Sequence, residues 1–369
     1  MPKQVTVYRE PGRFAGWPAN YGMWAWGDEI VVGFTLGYHK TVARGHARDR
    51  SQPFVNMQAR SLDEGLSWQI EDFNGRRPDG RGLSADEHMD EGLRLAEVMD
   101  AHTAAVPSQP LRFGQRDFAL MVARTGLGRG VFSFFYVSYD RCRSWQGPYR
   151  LPMFAQTGIA ARSDVIICGE REALFFLTAN KADGEEGKII CVRTEDGGQS
   201  FALLSHVGDE PGELSGRGDF AIMPASLQLP GGRILCASRC REGASGNSWI
   251  DLRASDDGGR SWQYLNQPAR FHEPGHSGNP PALHRLPDGR LVLIYGNRDR
   301  PCAIAARLSA DDGATWSDEI VLRGGSANGD MGYVRAVVLD DGAVVAAYYI
   351  NDRPDGDGER FIEAAIWQP

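Results

Sequence analysis

Short apolar runs recur along the whole chain, and each is bounded by Gly, Pro, Asp or Ser. Residues 55–60, 189–193 and 303–307 are examples, and residues 5–8 form such a run close to the start. Short runs between turn residues are typical of β-strands. Residues 86–105 instead show a weak helical period. The pattern therefore predicts an all-β chain with one inserted helix or lid near residues 75–112.

One short sequence motif occurs five times along the chain, each time at a predicted turn between two of these runs. Its copies occupy residues 61–68, 138–145, 194–201, 255–262 and 309–316, and Cys142 replaces a glycine in the second copy. Each copy contains an Asp that can accept hydrogen bonds from its own turn, a Gly or its equivalent, and an aromatic residue that packs the turn onto its sheet. We call these segments the repeated acidic turns.

The spacing of the repeated acidic turns predicts the architecture. Repeats of this period are typical of a β-propeller, a ring of four-stranded antiparallel blades. The sixth predicted blade has no such turn, so we expect the N-terminal strand to join it and to close the ring. The chain is expected to be a single propeller domain with six blades, at about residues 20–72, 113–149, 161–207, 219–269, 279–323 and 333–367.

The repeated acidic turns resemble the Asp-boxes, or BNR repeats, of the sialidase (neuraminidase) superfamily, and the resemblance covers nearly the whole chain. It implies a six-bladed, sialidase-like β-propeller. It also implies a glycoside hydrolase that cleaves a glycosidic bond at a terminal, carboxylate-bearing sugar. Sialidases hold that carboxylate with three arginines and use a tyrosine nucleophile paired with a glutamate, with an aspartate as acid/base. Asp-boxes also occur in propellers that are not sialidases, so they predict the fold more strongly than the reaction.

The candidate site residues lie in turns and strand starts that the predicted topology brings to one face. The resemblance implies that Tyr333 is the nucleophile or a proton donor and that Arg239 and Arg300 bind the substrate carboxylate. Guanidinium groups suit a carboxylate because they can bind it at two points. The same face is expected to collect further substrate-binding residues, namely Arg162, Arg335, His39, Asn279 and Arg48.

The acid/base is expected in the longest loop of the first blade, where Asp49 and His46 are the candidates. Two positions depart from the sialidase pattern. Gly16-Trp17-Pro18 stands where an Arg-Ile-Pro motif would supply the first arginine, and Gln228 stands where the activating glutamate would be. A phenol without a base is a poor nucleophile near neutral pH because its free pKa is about 10.

These departures keep two other functions open. Histidine titrates in the range that suits proton abstraction, so His46 or His39 would serve as the base of a lyase that acts on a uronate by β-elimination. The missing arginine and Gln228 would also suit a propeller that binds glycans without cleaving them.

Charge and composition narrow the expected partners. The formal net charge is −8, from 40 Lys and Arg against 48 Asp and Glu, which is unfavourable for binding nucleic acid. No apolar run approaches the roughly 18 residues of a membrane helix. The first residues lack the apolar core of a secretion signal, so a cytoplasmic location is expected. The six cysteines are expected to be reduced. We expect an acidic oligosaccharide as partner and no cofactor.

Overall fold

The computed structural model describes residues 1–42, 45–75, 89–90, 104–209, 219–243, 245–272 and 278–369, and only the backbone of residues 161–163. Most of the predicted helix or lid near residues 75–112 lies outside the described residues. The described chain forms two compact units. The first holds residues 1–73, 89–90 and 268–369, and the second holds residues 74–75 and 104–267.

Three antiparallel sheets belong to the first unit. The first blade consists of β2 (Arg13–Gly16), β3 (Met23–Trp26), β4 (Glu29–Tyr38), β5 (Val55–Ser61) and β6 (Gln69–Asp72). The fifth consists of β18 (Ala282–Arg285), β19 (Leu291–Asn297), β20 (Ala303–Ser309) and β21 (Ile320–Arg323). The sixth consists of β1 (Lys3–Tyr8), β22 (Gly332–Val338), β23 (Val344–Ile350) and β24 (Phe361–Trp367).

The other three sheets lie between Ala119 and Phe271. The second blade consists of β7 (Ala119–Arg124), β8 (Ser133–Ser138) and β9 (Gln146–Arg150). The third consists of β10 (Ile159–Ile167), β11 (Ala173–Asn180), β12 (Glu186–Thr194) and β13 (Ala202–His206). The fourth consists of β14 (Phe220–Gln228), β15 (Ile234–Arg241), β16 (Ser248–Ser255) and β17 (Gln263–Phe271).

These sheets are the blades of a six-bladed β-propeller, as the repeat predicts. The N-terminal strand β1 pairs with β24 at the edge of the sixth blade, so the expectation for this strand is confirmed. Two blades differ from the four-stranded pattern. The second shows three strands in the described residues, and the first begins at Arg13 with an inner strand that is divided into β2 and β3.

The division of the first blade follows from its local sequence. Trp17 adopts the left-handed conformation, with φ 56° and ψ 53°, and begins a short 3-10 turn over Pro18–Asn20. Proline has no N–H to give to a neighbouring strand. The chain therefore leaves the sheet after β2 and returns to it at β3, where it again pairs with β4.

The second strand of each blade is buried along nearly its whole length, as in β11 and β23. Because both faces of these strands are covered, their sequences are almost continuously apolar and do not alternate. Among the described residues, no helix is long and apolar enough to cross a membrane. None of the six cysteines, all of which the structure describes, forms a disulfide, and five of them are buried.

All five repeated acidic turns have the same hydrogen bonds. In each, the hydroxyl two residues before the Asp donates to its Oδ1 at 2.8–3.0 Å. The residue four positions after the Asp donates its N–H to Oδ1 and its hydroxyl to Oδ2. Cys142 has φ 65°, the left-handed conformation that glycine adopts in the other four copies.

Candidate active site

A histidine and an aspartate form a close pair in the first unit. His46 lies in the long loop after β4, and Asp330 lies just before β22. Nδ1 of His46 is 2.5 Å from Oδ1 of Asp330. The Asp330 side chain is only 5% exposed, whereas 24% of the His46 side chain remains exposed. The aspartate is therefore buried behind a histidine that solvent can reach.

Three further donors surround the carboxylate of Asp330. The Ala47 N–H and Nε of Arg360 donate to its Oδ2 at 2.9 and 2.8 Å. The Tyr349 hydroxyl donates to its Oδ1 at 2.8 Å. Burial alone would raise the pKa of Asp330. The charge and hydrogen bond of His46, then Arg360 and the Ala47 amide, outweigh burial and hold this pKa well below its usual range. Asp330 is therefore an ionised acceptor near neutral pH.

The hydrogen bonds of Asp330 fix the tautomer of His46. An ionised carboxylate only accepts, so the proton of a neutral imidazole lies on Nδ1 and the lone pair lies on Nε2. The Tyr349 hydroxyl, which is 3.3 Å from Nδ1, donates its hydrogen bond to Asp330 and not to the histidine. Burial lowers the pKa of His46 and outweighs the Asp330 carboxylate, which raises it. The imidazole is thus available as a base at neutral pH.

Tyr333 lies beside this histidine at the start of β22. Its ring centroid is 6.3 Å from that of His46 and 6.0 Å from that of Tyr349. Its φ of 53° is unusual for an aromatic residue. The fully buried Asn279 holds this conformation, because its Oδ1 accepts from the Tyr333 N–H at 2.8 Å and its Nδ2 donates to the Met331 carbonyl at 3.3 Å. Asn279, which the sequence predicts as a substrate ligand, has a positioning role in these contacts.

The arginine next to Tyr333 is Arg298, two residues before the predicted Arg300. Its Cζ lies 5.9 Å from the Tyr333 ring centroid, and Nη2 donates to the Met331 carbonyl at 3.2 Å. Arg298 is 6% exposed, and its buried Nε has no hydrogen-bond partner among the described residues. A buried donor without a partner costs free energy, so Nε is suited to an anion that enters from outside. Arg300 is exposed and lies in the turn between β19 and β20.

Trp17 packs against the histidine and orients it. Its ring is fully buried and meets that of His46 edge to face, with 5.0 Å between the centroids. It also packs on Phe14 at 4.7 Å. Cζ of Arg48 lies 5.7 Å from the Trp17 ring centroid, which brings this predicted substrate ligand close to the site. The structure thus brings Tyr333, His46, Asn279 and Arg48 together.

Three other predicted residues of the first unit have local contacts. Oδ1 of Asp49 accepts from the N–H and the hydroxyl of Ser51, and the hydroxyl bond holds the pKa of Asp49 below its usual value. Asp49 is partly buried, and an ionised carboxylate that caps its own turn is a poor proton donor. His39 lies with Nε2 3.8 Å from Oδ1 of Asp357. Arg335 donates from Nη2 to the carbonyls of Ala19 and Tyr21, so it braces the first blade.

The remaining predicted residues lie in the second unit. Arg239 is 4% exposed in β15, with Nη1 3.6 Å from the sulfur of Met223. Arg162 lies in β10, and its side chain is outside the described part of the chain. Gln228 pairs with Ile234, which pairs with Ser255, the first residue of a repeated acidic turn. Gln228 therefore lies at the end of its sheet that carries the repeated acidic turn, whereas Arg239 pairs with Ile222 nearer the other end of β14.

Sequence reasoning missed Asp330, Tyr349 and Arg360, and it chose Arg300 within a residue or two of Arg298. Asp330 stands three residues before Tyr333, and this short spacing was the one available signal. Tyr349 belongs to an apolar strand and Arg360 to a polar turn, where nothing in the sequence separates them from core and surface residues. Within the described ranges there is no group of His, Cys, Asp and Glu suited to a metal ion.

The sequence matches a known family over more than half of its length. The profile of the BNR repeat-like domain matches residues 130–346. The chain belongs to this family. The match confirms the predicted membership of the sialidase-like BNR β-propeller superfamily. No curated protein matches the sequence.

Solved structures share the fold at low sequence identity. A protein of unknown function from Dyadobacter fermentans is 20% identical, with TM-score 0.70 and coverage of 99% of this chain and 97% of that one. An α-L-arabinanase from Penicillium chrysogenum is 13% identical, with TM-score 0.62 and coverage of 100% and 98%. The NanB sialidase from Streptococcus pneumoniae is 10% identical, with TM-score 0.57 and coverage of 94% and 68%. At these identities the likeness shows the fold alone.

Proposed function

We propose that this chain is a carbohydrate-active enzyme, a glycoside hydrolase that cleaves the glycosidic bond of a terminal, carboxylate-bearing sugar. The observation that carries the proposal is the cluster in which Tyr333, in its left-handed conformation, lies beside the His46–Asp330 pair and the buried Arg298. This cluster combines a nucleophile, a base and a cation whose Nε has no hydrogen-bond partner in the part of the chain that the structure describes.

Tyr333 is the proposed nucleophile, and it needs a base because a free phenol has a pKa of about 10. The Nε2 lone pair of His46 takes the phenol proton, and Asp330 stabilises the imidazolium that results. This pair thereby replaces the glutamate of sialidases. The guanidinium of Arg298 favours the phenolate through its positive charge. The phenolate oxygen attacks the anomeric carbon and the bond to the leaving oxygen breaks, and the leaving oxygen takes its proton from solvent. Water then attacks the same carbon, the bond to the Tyr333 oxygen breaks, and the phenol is restored. Asp49, whose pKa lies below its usual value, stays only a sequence prediction as acid/base.

Arg298 is also the proposed ligand of the substrate carboxylate. Its Nε is buried and has no hydrogen-bond partner among the described residues, so a carboxylate oxygen would satisfy it. Arg48, near Trp17, is the second proposed ligand in the first unit. Arg239, Arg300, Arg162 and Arg335 stay predictions as carboxylate ligands, and His39 stays one as a substrate ligand.

Structural neighbours support cleavage of a glycosidic bond. Those with a named activity include an α-L-arabinofuranosidase, an α-L-arabinanase and a sialidase, and all three are glycoside hydrolases. The acidic sugar is argued from Arg298 and not from these neighbours, two of which act on arabinose-containing substrates by name.

Aryl glycosides test the nucleophile separately from the acid, because a good aryl leaving group departs without a proton. The full chain is assayed for aryl release from sialosides, glucuronides and galacturonides, with arabinosides as neutral comparison. We expect release from an acidic glycoside and a loss of about 10²–10⁴-fold in Tyr333→Phe. The exposed Tyr264 supplies a matched control, since Tyr264→Phe removes a hydroxyl elsewhere. Release from arabinosides alone would refute the acidic sugar but not hydrolysis.

The tautomer of His46 favours a second candidate, β-elimination from a uronate. His46 Nε2 would remove the proton beside the carboxylate while Arg298 neutralises its charge. The bond to the leaving oxygen would then break as a carbon–carbon double bond forms, and Tyr333 would protonate the leaving oxygen. The unsaturated product absorbs in the near ultraviolet, so that chromophore distinguishes elimination from hydrolysis. Binding of acidic glycans without any turnover would instead identify a non-catalytic propeller.

A further inference from the structure

A cavity of about 420 Å³ lies beside the second blade, within the second unit. Two tyrosines, Tyr139 and Tyr149, contribute to its wall, and Gln109, Gln146 and Arg112 supply polar groups. Tyr139 follows β8 directly at the repeated acidic turn, and Tyr149 belongs to β9. The residues assigned above to the candidate active site belong to other elements, so this cavity is a separate feature.

Hydrogen bonds fix the segment that forms the cavity. The N–H of the buried Leu111 donates to the Gly197 carbonyl at 2.9 Å. The Arg112 N–H donates to the Tyr139 hydroxyl at 3.1 Å. The Tyr149 ring packs on Phe135, with 5.5 Å between centroids. Both tyrosines are thus held in place before any ligand arrives, which reduces the entropy cost of binding.

The lining chemistry suits a sugar. Aromatic rings supply flat apolar area that can cover the C–H face of a sugar ring, and amides supply both donors and acceptors for its hydroxyls. Nε of Arg112 lies 2.6 Å from Oε1 of Glu170, so the local positive charge is paired. A paired cation gives no reason for an acidic ligand, and the site therefore favours a neutral sugar.

The same region is unsuited to a peptide that adds a strand. Ala105 forms a parallel bridge with Tyr149, and its carbonyl accepts from the Arg150 N–H at 2.8 Å. These bonds occupy backbone groups of β9 that an added strand would need.

We propose that this cavity is a second carbohydrate site, which binds a neutral stretch of an oligosaccharide. The inference rests on the proposed function, because a carbohydrate-active enzyme gives the reason to expect an oligosaccharide as ligand.

The test measures binding of neutral arabino-, xylo- and manno-oligosaccharides to the full chain by titration calorimetry and ligand-observed NMR. The double variant Gln109→Ala/Gln146→Ala removes two exposed amides, and we expect binding to weaken about tenfold. Gln69→Ala/Gln263→Ala is the matched control, because both glutamines are exposed on outer strands of other blades. Tyr149→Phe keeps the ring and should bind within about twofold of the wild type.

The outcomes separate this inference from the proposed function. Weaker binding in the double variant, with unchanged aryl glycoside turnover, supports a second site. Absence of binding to every neutral oligosaccharide, or equal binding by the double variant and the wild type, overturns it and leaves turnover untouched. Binding that persists in Tyr333→Phe while turnover is lost supports both proposals. Binding at the cavity with no turnover by any variant supports the cavity and refutes the enzyme.

Discussion

Aspartates have two different roles in this propeller, in the repeated acidic turns and in the cluster around His46. In each turn the Asp binds residues at most four positions away, and the arrangement occurs five times. Asp330 instead binds His46, which is 284 residues away in sequence, and this arrangement has no repeat among the described residues. The turns lie at the surface, whereas the Asp330 carboxylate is buried.

This contrast shows that a lowered pKa does not by itself identify a carboxylate that takes part in catalysis. The pKa of Asp196 lies below its usual value although partial burial raises it, because the hydroxyl and N–H of Ser200 outweigh burial. Asp330 is also ionised, but its partners include a histidine and a tyrosine, which can exchange protons. The partners, and not the shift, distinguish a structural carboxylate from one that orients a base.

The largest expected effect is on turnover, in His46→Gln. Glutamine keeps a polar side chain but cannot act as a base, so we expect kcat/KM to fall about 10²–10⁴-fold. In the wild type, kcat/KM should rise with pH as His46 loses its proton, at a pKa below the ordinary 6.5 because burial lowers it. The measurement is a pH–rate profile on the best aryl glycoside.

His206→Gln is the control for this experiment, because His206 is exposed at the end of β13. It should retain both the rate and the acid limb of the profile. If the rate of His46→Gln still fell at acid pH as in the wild type, another group would be the base. Asp330 would then have no role in orienting a base, and its pairing with His46 would be structural.

The next effect is on stability, in Asp330→Ala. Removal of the carboxylate leaves Arg360 buried without its ionic partner, and breaking a buried pair typically costs about 3–5 kcal/mol. Denaturant unfolding followed by tryptophan fluorescence measures this loss. Asp330→Asn keeps the shape and should cost less, and it separates the charge from the packing. A loss below about 1 kcal/mol in Asp330→Ala would mean that the pair is not a structural centre.

The sequence predicted the repetitive part of the molecule well and the unique part incompletely. The repeated acidic turns are local, so their residues are visible within eight positions, and they led to the blades and to the place of β1. The site depends on contacts between distant segments. The resemblance to sialidases pointed to Tyr333, and the longest loop of the first blade pointed to His46, and both roles stay predictions. Asp330 was missed, and Arg298 was not separated from Arg300, because only the folded chain shows which residues lie beside His46 and Tyr333.

A smaller effect is expected at the turns, in Asp196→Ala. Its carboxylate accepts from the N–H and hydroxyl of Ser200 and from the hydroxyl of Thr194. Loss of such a local cap typically costs about 1 kcal/mol. Glu195→Ala is the control, since it removes a neighbouring surface carboxylate that pairs only with Arg193 among the described residues. Equal stability of the two variants would show that the turn does not depend on its Asp.

The smallest expected difference between the repeated acidic turns and the cluster around His46 is the pH at which stability and turnover, respectively, are lost. Turn carboxylates such as Asp63 have folded-state pKa values below the ordinary 3.8, since hydroxyl bonds stabilise the ionised form. Their stabilisation is present above the ordinary pKa and is lost as pH falls through the folded value, and the same sign holds for Asp330. We therefore expect the melting temperature to stay level until the pH falls below about 4, whereas turnover declines earlier, when His46 takes up a proton. Parallel scans of melting temperature and rate measure both limbs. If the melting temperature and the rate fell over the same pH range, acid would remove activity by unfolding the propeller. The pH dependence of the rate would then not identify His46 as the base.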